Sequence, residues 1–139
     1  MKQMKDKVFI DSNILIYAYS VDEPVKQQHV EKLLNSHEIL VISTQTINEF
    51  VNVMTKKKKL TYIQISLVVQ ELCIIFSLQI VGPEIIQKAI EIAGKHHYSY
   101  FDSLIIAAAR ASDCSILYSE DMHHQHVIED GLRIINPFK

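Results

Sequence analysis

The stretch Lys7-Val8-Phe9-Ile10-Asp11-Ser12-Asn13 decides how the rest of the chain is read. Three β-formers, Val8 to Ile10, stop at a carboxylate, and a new apolar-periodic segment, Ile14-Leu15-Ile16-Tyr17, follows at once. A short, wholly apolar run bounded in this way reads as a strand covered on both faces, as strands of parallel sheets are. Asp11 then stands at the carboxyl end of that strand, on the rim where open α/β sheets hold their ligands. A carboxylate there is costly to desolvate unless a countercharge offsets it. A divalent metal is the expected countercharge, with Glu49, Asp102 and Asp121 converging on it.

Working outward, Asn13 to Tyr19 reads as a short helix. Asp22-Glu23-Pro24 reads as the start of a second, with Asp22 as N-cap and Pro24 in the first turn. Ile39-Leu40-Val41-Ile42 is a second buried strand. Ser43 or Thr44 caps a helix whose core face is Ile47, Phe50, Val51 and Met54 and whose polar stripe includes Gln45, Glu49, Asn52 and Lys56. Thr61 to Cys73 is helical, and Phe76 to Val81 is a third strand. Gly82-Pro83-Glu84 opens a helix with Ile85, Ile86, Ala89, Ile90 and Ala93 inward, ending near Gly94. Ser99 caps the helix from Tyr100 to about Asp113. Ser115 to Tyr118 is a fourth strand ending at Glu120 and Asp121. Leu132 to Ile135, entered from Asp130-Gly131, is a short last strand. The alternation predicts an α/β fold with a mainly parallel sheet of four or five strands.

The bulk properties agree. A chain of 139 residues, 48% hydrophobic and 22% charged, with three Gly and three Pro, is expected to form a single domain over residues 1–139. No apolar run approaches the ~18 residues of a membrane span, and Met1 to Asp6 has no apolar stretch of a signal peptide. A cytoplasmic protein without a membrane partner is the expectation. Cys73 and Cys114 lie in apolar settings without a CxxC pair and read as core thiols. The net charge of −2, from 14 basic and 16 acidic residues, does not by itself point to nucleic acid. Setting the four candidate acids aside leaves 14 against 12, a mildly basic surround for an acidic pocket.

Taken singly, the acids have ordinary explanations. Asp11 is a helix N-cap, Asp102 favours a helix amino terminus by about 0.3–1 kcal/mol, and Glu49 is a solvated helix residue. As a set they repel one another, which raises their pKa values or demands cations. Hard carboxylate oxygens suit Mg²⁺ or Mn²⁺, and the chemistry such sites serve is phosphodiester hydrolysis. No Ser/His/Asp or Cys/His arrangement and no phosphate-cradling Gly-rich loop competes.

At this point five segments, in order, match a known family. Phe9-Ile10-Asp11-Ser12-Asn13-Ile14-Leu15, Thr44-Gln45-Thr46-Ile47-Asn48-Glu49-Phe50, Tyr100-Phe101-Asp102-Ser103-Leu104-Ile105, Leu117-Tyr118-Ser119-Glu120-Asp121-Met122 and the tail Gly131 to Phe138 resemble the PIN domains, and within them the toxins of the VapC type. The resemblance implies a three-layer sandwich and a Mg²⁺- or Mn²⁺-dependent endoribonuclease. It also implies a homodimer and a cognate antitoxin protein, the toxin's partner. It places Asp11, Glu49, Asp102 and Asp121 on the family's four acidic positions, as catalytic and metal-binding residues. Asn13 and Ser119 fall on supporting polar positions, and Glu120 is able to share or exchange the role of Asp121.

Other features receive plainer readings. Lys56 to Lys59 is a solvated loop compatible with a minor grip on RNA phosphates. His123, His124 and His126 form a polar loop rather than a zinc site. Tyr98 and Tyr100 pack near the Asp102 helix. The competing functions are a housekeeping RNA-processing nuclease of the same family and a non-catalytic binding module. An aspartyl phosphatase is disfavoured because Asn13 stands where a second Asp is needed. An antitoxin is expected to insert an Arg into the acidic pocket and lay an apolar helix in a groove near Glu49 and Leu67.

Overall fold

The computed structural model describes residues 6–129 and 131–139; residues 1–5 and 130 lie outside the described residues. The strands are β1 (Lys7–Ile10), β2 (Ile39–Ser43), β3 (Ser77–Gln79), β4 (Ile116–Tyr118), β5 (Val127–Ile128) and β6 (Leu132–Ile135). The helices are α1 (Ser12–Ala18), α2 (Pro24–Asn35), α3 (Thr44–Lys56), α4 (Tyr62–Ile75), α5 (Pro83–His96) and α6 (Tyr100–Ala111).

The strands form one sheet in the order β3-β2-β1-β4-β6-β5. β1 lies between two parallel neighbours, with Phe9 level with Val41 of β2 and with Leu117 of β4. β5 pairs with β6 in the antiparallel sense. This is the expected mainly parallel α/β sheet, widened by a sixth strand. The two residues Val127 and Ile128 are too few to show a period in sequence.

The pleat of the sheet divides the core. Phe9, Leu117 and Ile134 face one way and pack with Ala89, Ile92 and Ile105 of α5 and α6. Val8, Ile10, Ile42 and Tyr118 face the other way and pack with Ile14, Phe50 and Leu72 of α1, α3 and α4. Alternate residues of a strand point to opposite faces, so one run of apolar residues serves two helical layers. The result is the expected three-layer sandwich. β1 sits where the chain turns from building outward through β2 and β3 to building outward through β4 and β6. This is a topological switch point, where a crevice opens beyond the strand ends.

Local chemistry fixes the helix starts that matter for the site. Ser43 caps α3 in a reciprocal box with Thr46, and Thr61 does the same for α4 with Gln64. Ser99 caps α6, its hydroxyl accepting from the Asp102 N–H at 3.1 Å.

Several expectations are corrected. Asp22 does not cap α2; its carboxylate is taken by Lys58 Nζ at 2.9 Å, and Glu23 holds the N-cap position without a side-chain bond. α5 runs past Gly94 to His96, because His97 adopts the left-handed conformation (φ 62°) that ends the helix. Ile90 of α5 is exposed rather than inward. Cys73 is exposed and Cys114 buried, so only the latter is a core thiol. Among the described residues, no helix is long and apolar enough to cross a membrane.

Candidate active site

Asp11 is the centre of the rim beyond β1. It follows the last residue of β1 and is the N-cap of α1, its Oδ1 accepting from the Ser12 N–H at 2.7 Å. Its Oδ2 accepts from Ser119 Oγ at 2.8 Å and from Asn13 Nδ2 at 3.5 Å. Only 4% of Asp11 is exposed. Ser119 reaches it because β4 runs beside β1 with Tyr118 level with Ile10, so the next residue on each strand meets at the rim.

The other acids arrive from three further elements. Glu49 comes from the second turn of α3, and its Oε1 accepts from Ser12 Oγ at 3.0 Å. That same hydroxyl stands 3.4 Å from Asp11 Oδ1, so Ser12 ties the two carboxylates together. Asp121 follows β4 and is held by Asn13 Nδ2 at 2.9 Å. Asn13 also receives the Glu120 N–H on its Oδ1, at 3.2 Å. Asp102 stands in the first turn of α6; it feels the charge of Asp121, and its own charge acts on Asp11 and Glu49. The structure thus ties Asp11 to Glu49 through Ser12 and to Asp121 through Asn13 and Ser119, with Asp102 near enough for its charge to act on Asp11 and Glu49.

Glu120 does not join this group. Its carboxylate accepts from Tyr17 Oη at 2.8 Å and from Lys26 Nζ at 2.9 Å. Ser12 is the residue that sequence reasoning passed over. After a strand-ending acid it reads as one more capping serine, and only the position of α3 shows that it bridges.

The electrostatics show what the crevice lacks. Burial pushes the Asp11 carboxyl up to about 7, against the lowering effect of its bonds from Ser119 and Ser12; the charges of Glu49 and Asp102 raise it further. Burial also raises Glu49 and Asp102, half-buried as they are, with the charge of Asp102 adding to Glu49 and that of Asp121 adding to Asp102. Among the described residues, no basic side chain bonds to any of the four. The nearby Lys58 is paired with Asp22. A cluster of this kind calls for a cation from outside the chain.

Among the described residues, no three His, Cys, Asp or Glu side chains stand close enough to enclose a metal ion by themselves. The acids are spaced by a serine and an asparagine instead. That spacing suits a hard, well-hydrated ion such as Mg²⁺ or Mn²⁺ better than Zn²⁺ or Cu²⁺. Mg²⁺ keeps several waters and takes only one or two protein carboxylates. The donor set is also all oxygen. The histidine segment is used differently. His126 Nδ1 lies 2.7 Å from Tyr98 Oη, and His124 Nδ1 accepts from the Asn136 N–H at 2.9 Å.

Comparison with known proteins follows this geometry. A family model described as "PIN domain" matches residues 8–129, nearly the whole chain. The chain belongs to the PIN domain family. No curated protein matches it by sequence. Solved structures share its fold at low identity. A toxin–antitoxin complex from Klebsiella pneumoniae aligns with a TM-score of 0.71 at 21% identity, over 94% of this chain and 97% of the other. VapC20 of Mycobacterium tuberculosis, described as a sarcin–ricin loop cleaving toxin, aligns at 0.67 and 13% identity, over 79% and 86%. DNA-bound VapBC from Salmonella typhimurium aligns at 0.65 and 19% identity, over 92% and 96%. The fold of this chain is therefore shared with these structures.

Proposed function

We propose that this PIN domain is a divalent-metal-dependent endoribonuclease and the toxin of a toxin–antitoxin pair. The observation that carries the reading is the buried Asp11, tied through Ser12 to Glu49 and through Asn13 to Asp121, with no basic side chain among the described residues bonded to any of the three. Support comes from family membership and from structural neighbours named as VapC and as toxin–antitoxin complexes.

Asp11, Glu49, Asp102 and Asp121 would hold one or two Mg²⁺ or Mn²⁺ ions. Such an ion supplies Lewis acidity toward a phosphoryl oxygen and a lowered pKa for water. The chain's own contribution is positional. Ser12 N–H, Ser119 and Asn13 fix Asp11 in one orientation, and outer partners of this sort govern how well first ligands bind. Asp11 is sealed from solvent, whereas Glu49 and Asp102 reach the crevice and are the acids able to exchange protons with its water. Asp121 is exposed and closes the outer side.

The proposed antitoxin surface is the outer face of α4, where Tyr62, Ile63, Leu67 and Ile74 are all exposed. An amphipathic partner helix covers such a face, and a basic side chain from the same partner would pair with the acids. A homodimer belongs to the same reading and is checked by light scattering on the isolated protein.

The test is expression in a bacterial host with and without the small gene beside its own. Growth arrest that the neighbouring gene relieves, together with Mn²⁺-dependent cleavage of total RNA by the purified protein, is the expected result. Purified, folded protein that leaves RNA intact in Mn²⁺ would overturn it.

A further inference from the structure

The carboxylate that leaves the crevice points to a device outside it. Glu120 is fixed at every polar group it has. Its Oε1 accepts from Tyr17 Oη at 2.8 Å and its Oε2 accepts from Lys26 Nζ at 2.9 Å. Its N–H donates to Asn13 at 3.2 Å, and its carbonyl accepts from Asn136 Nδ2 at 3.3 Å. Asp121, the next residue, is exposed, and its carboxylate accepts from Asn13. Asn13 thus anchors both the Glu120 N–H and the Asp121 carboxylate, so the fixed Glu120 and Asp121 share one support.

Lys26 is held in turn. Its Nζ donates to Tyr17 Oη at 3.0 Å and lies 4.5 Å from the centre of the Tyr17 ring and 4.9 Å from that of Phe138. Phe138 packs edge-on against Tyr17 at 5.4 Å and against His29 at 5.2 Å. A partly exposed ion pair is by itself worth little, because two flexible chains must be ordered to make it. Here two ring faces order the lysine before it meets Glu120. The clasp joins α1, α2, the segment after β4 and the carboxyl-terminal tail, and none of its members is one of the four acids.

We propose that Lys26, bedded on Tyr17 and Phe138, is a positioning residue for Asp121: it withholds Glu120 from the acidic crevice and so sets where Asp121 stands. This rests on the metal-dependent nuclease reading of that crevice. It adds that Phe138, beyond β6, supports the position of an acid of the site.

The test is calorimetric titration of RNA-free protein with Mn²⁺, alongside cleavage kinetics. Lys26→Met keeps the apolar stem and removes the charge. The expected result is Mn²⁺ affinity weakened by about tenfold or more, as for other outer partners of metal ligands. kcat should fall while KM for RNA holds. Lys26→Arg should restore both. Lys26→Met combined with Glu120→Gln should be no worse than either alone, since both act through one link. A role confined to stability would lower the melting temperature and leave Mn²⁺ affinity unmoved, and that result overturns the proposal. So do additive effects in the double variant. Phe138→Ala reports on the same clasp if the lysine variant does not fold. Wild-type binding of Mn²⁺ that Asp11→Asn abolishes and Lys26→Met leaves intact refutes the clasp alone. A wild-type protein that binds no Mn²⁺ refutes the clasp and the nuclease reading together.

Discussion

Ser12 Oγ donates to Glu49 Oε1 at 3.0 Å across 37 positions of sequence. Through that bond α3 delivers its acid to the end of β1. Ser12→Ala removes the bond and leaves the Ser12 N–H to Asp11 in place. A hydrogen bond to a carboxylate is worth about 1.5–3 kcal/mol, so the melting temperature should fall by several degrees without loss of the fold. Cleavage should fall by about tenfold or more, because Glu49 loses the partner that orients it. Unchanged kcat in Ser12→Ala would show that Glu49 needs no such anchor.

The protein stripped of divalent ions should become less stable as pH rises toward neutrality. The folded state raises Asp11 to about 7 from an ordinary 3.8, mainly by burial. Between those values the folded chain binds more protons than the unfolded chain. Stability is therefore full near pH 4 and is lost as pH rises through 7, by a few kcal/mol at most. Asp11→Asn should flatten this dependence and raise the melting temperature at pH 8 in EDTA, and Mn²⁺ should do the same for the wild type. A wild-type melting temperature in EDTA that climbs from pH 5 to 8 would contradict the burial argument.

Two adjacent lysines should behave differently. Lys57 and Lys58 both line the cleft of about 540 Å³ that Glu49 and Asp121 share. Lys58 is bonded to both carboxylate oxygens of Asp22, at 2.9 and 3.0 Å, so only Lys57 offers its charge to a substrate phosphate. Lys57→Gln should weaken binding of a short RNA to the Asp102→Asn protein and reduce the slope of log affinity against log salt by about 0.7. Lys58→Gln should reduce it by less. Equal slopes for the two variants would mean that neither touches the backbone.

Much of this was legible in the chain, and the exceptions have physical causes. Val8-Phe9-Ile10-Asp11 announced a two-faced strand with an acid on its rim because apolar runs that stop abruptly are a local signal. Ser43, Thr61 and Ser99 announced helix starts for the same reason. What could not be read depends on separation. Lys26 and Glu120 lie 94 positions apart, and no period links them. Glu49 on the polar stripe of α3 cannot be told from a solvated glutamate until β2 is set beside β1. Asp22 before Pro24 has the pattern of a cap, but Lys58 competes for its carboxylate and wins. Cys73 lies in an apolar run, yet α4 is apolar on more than its buried side, so the sequence could not say which side the thiol takes.

The proposed catalytic unit is four acids, from the end of β1, from α3, from α6 and from the segment after β4. Single-turnover cleavage of a mapped RNA in Mn²⁺ by Asp11→Asn, by Asp102→Asn and by the double variant tests this most directly. Residues that act as a unit lose nearly everything with the first substitution, so each single variant should fall to the level of the EDTA control and the double should be no lower. Cleavage by either single variant at the wild-type rate would contradict it.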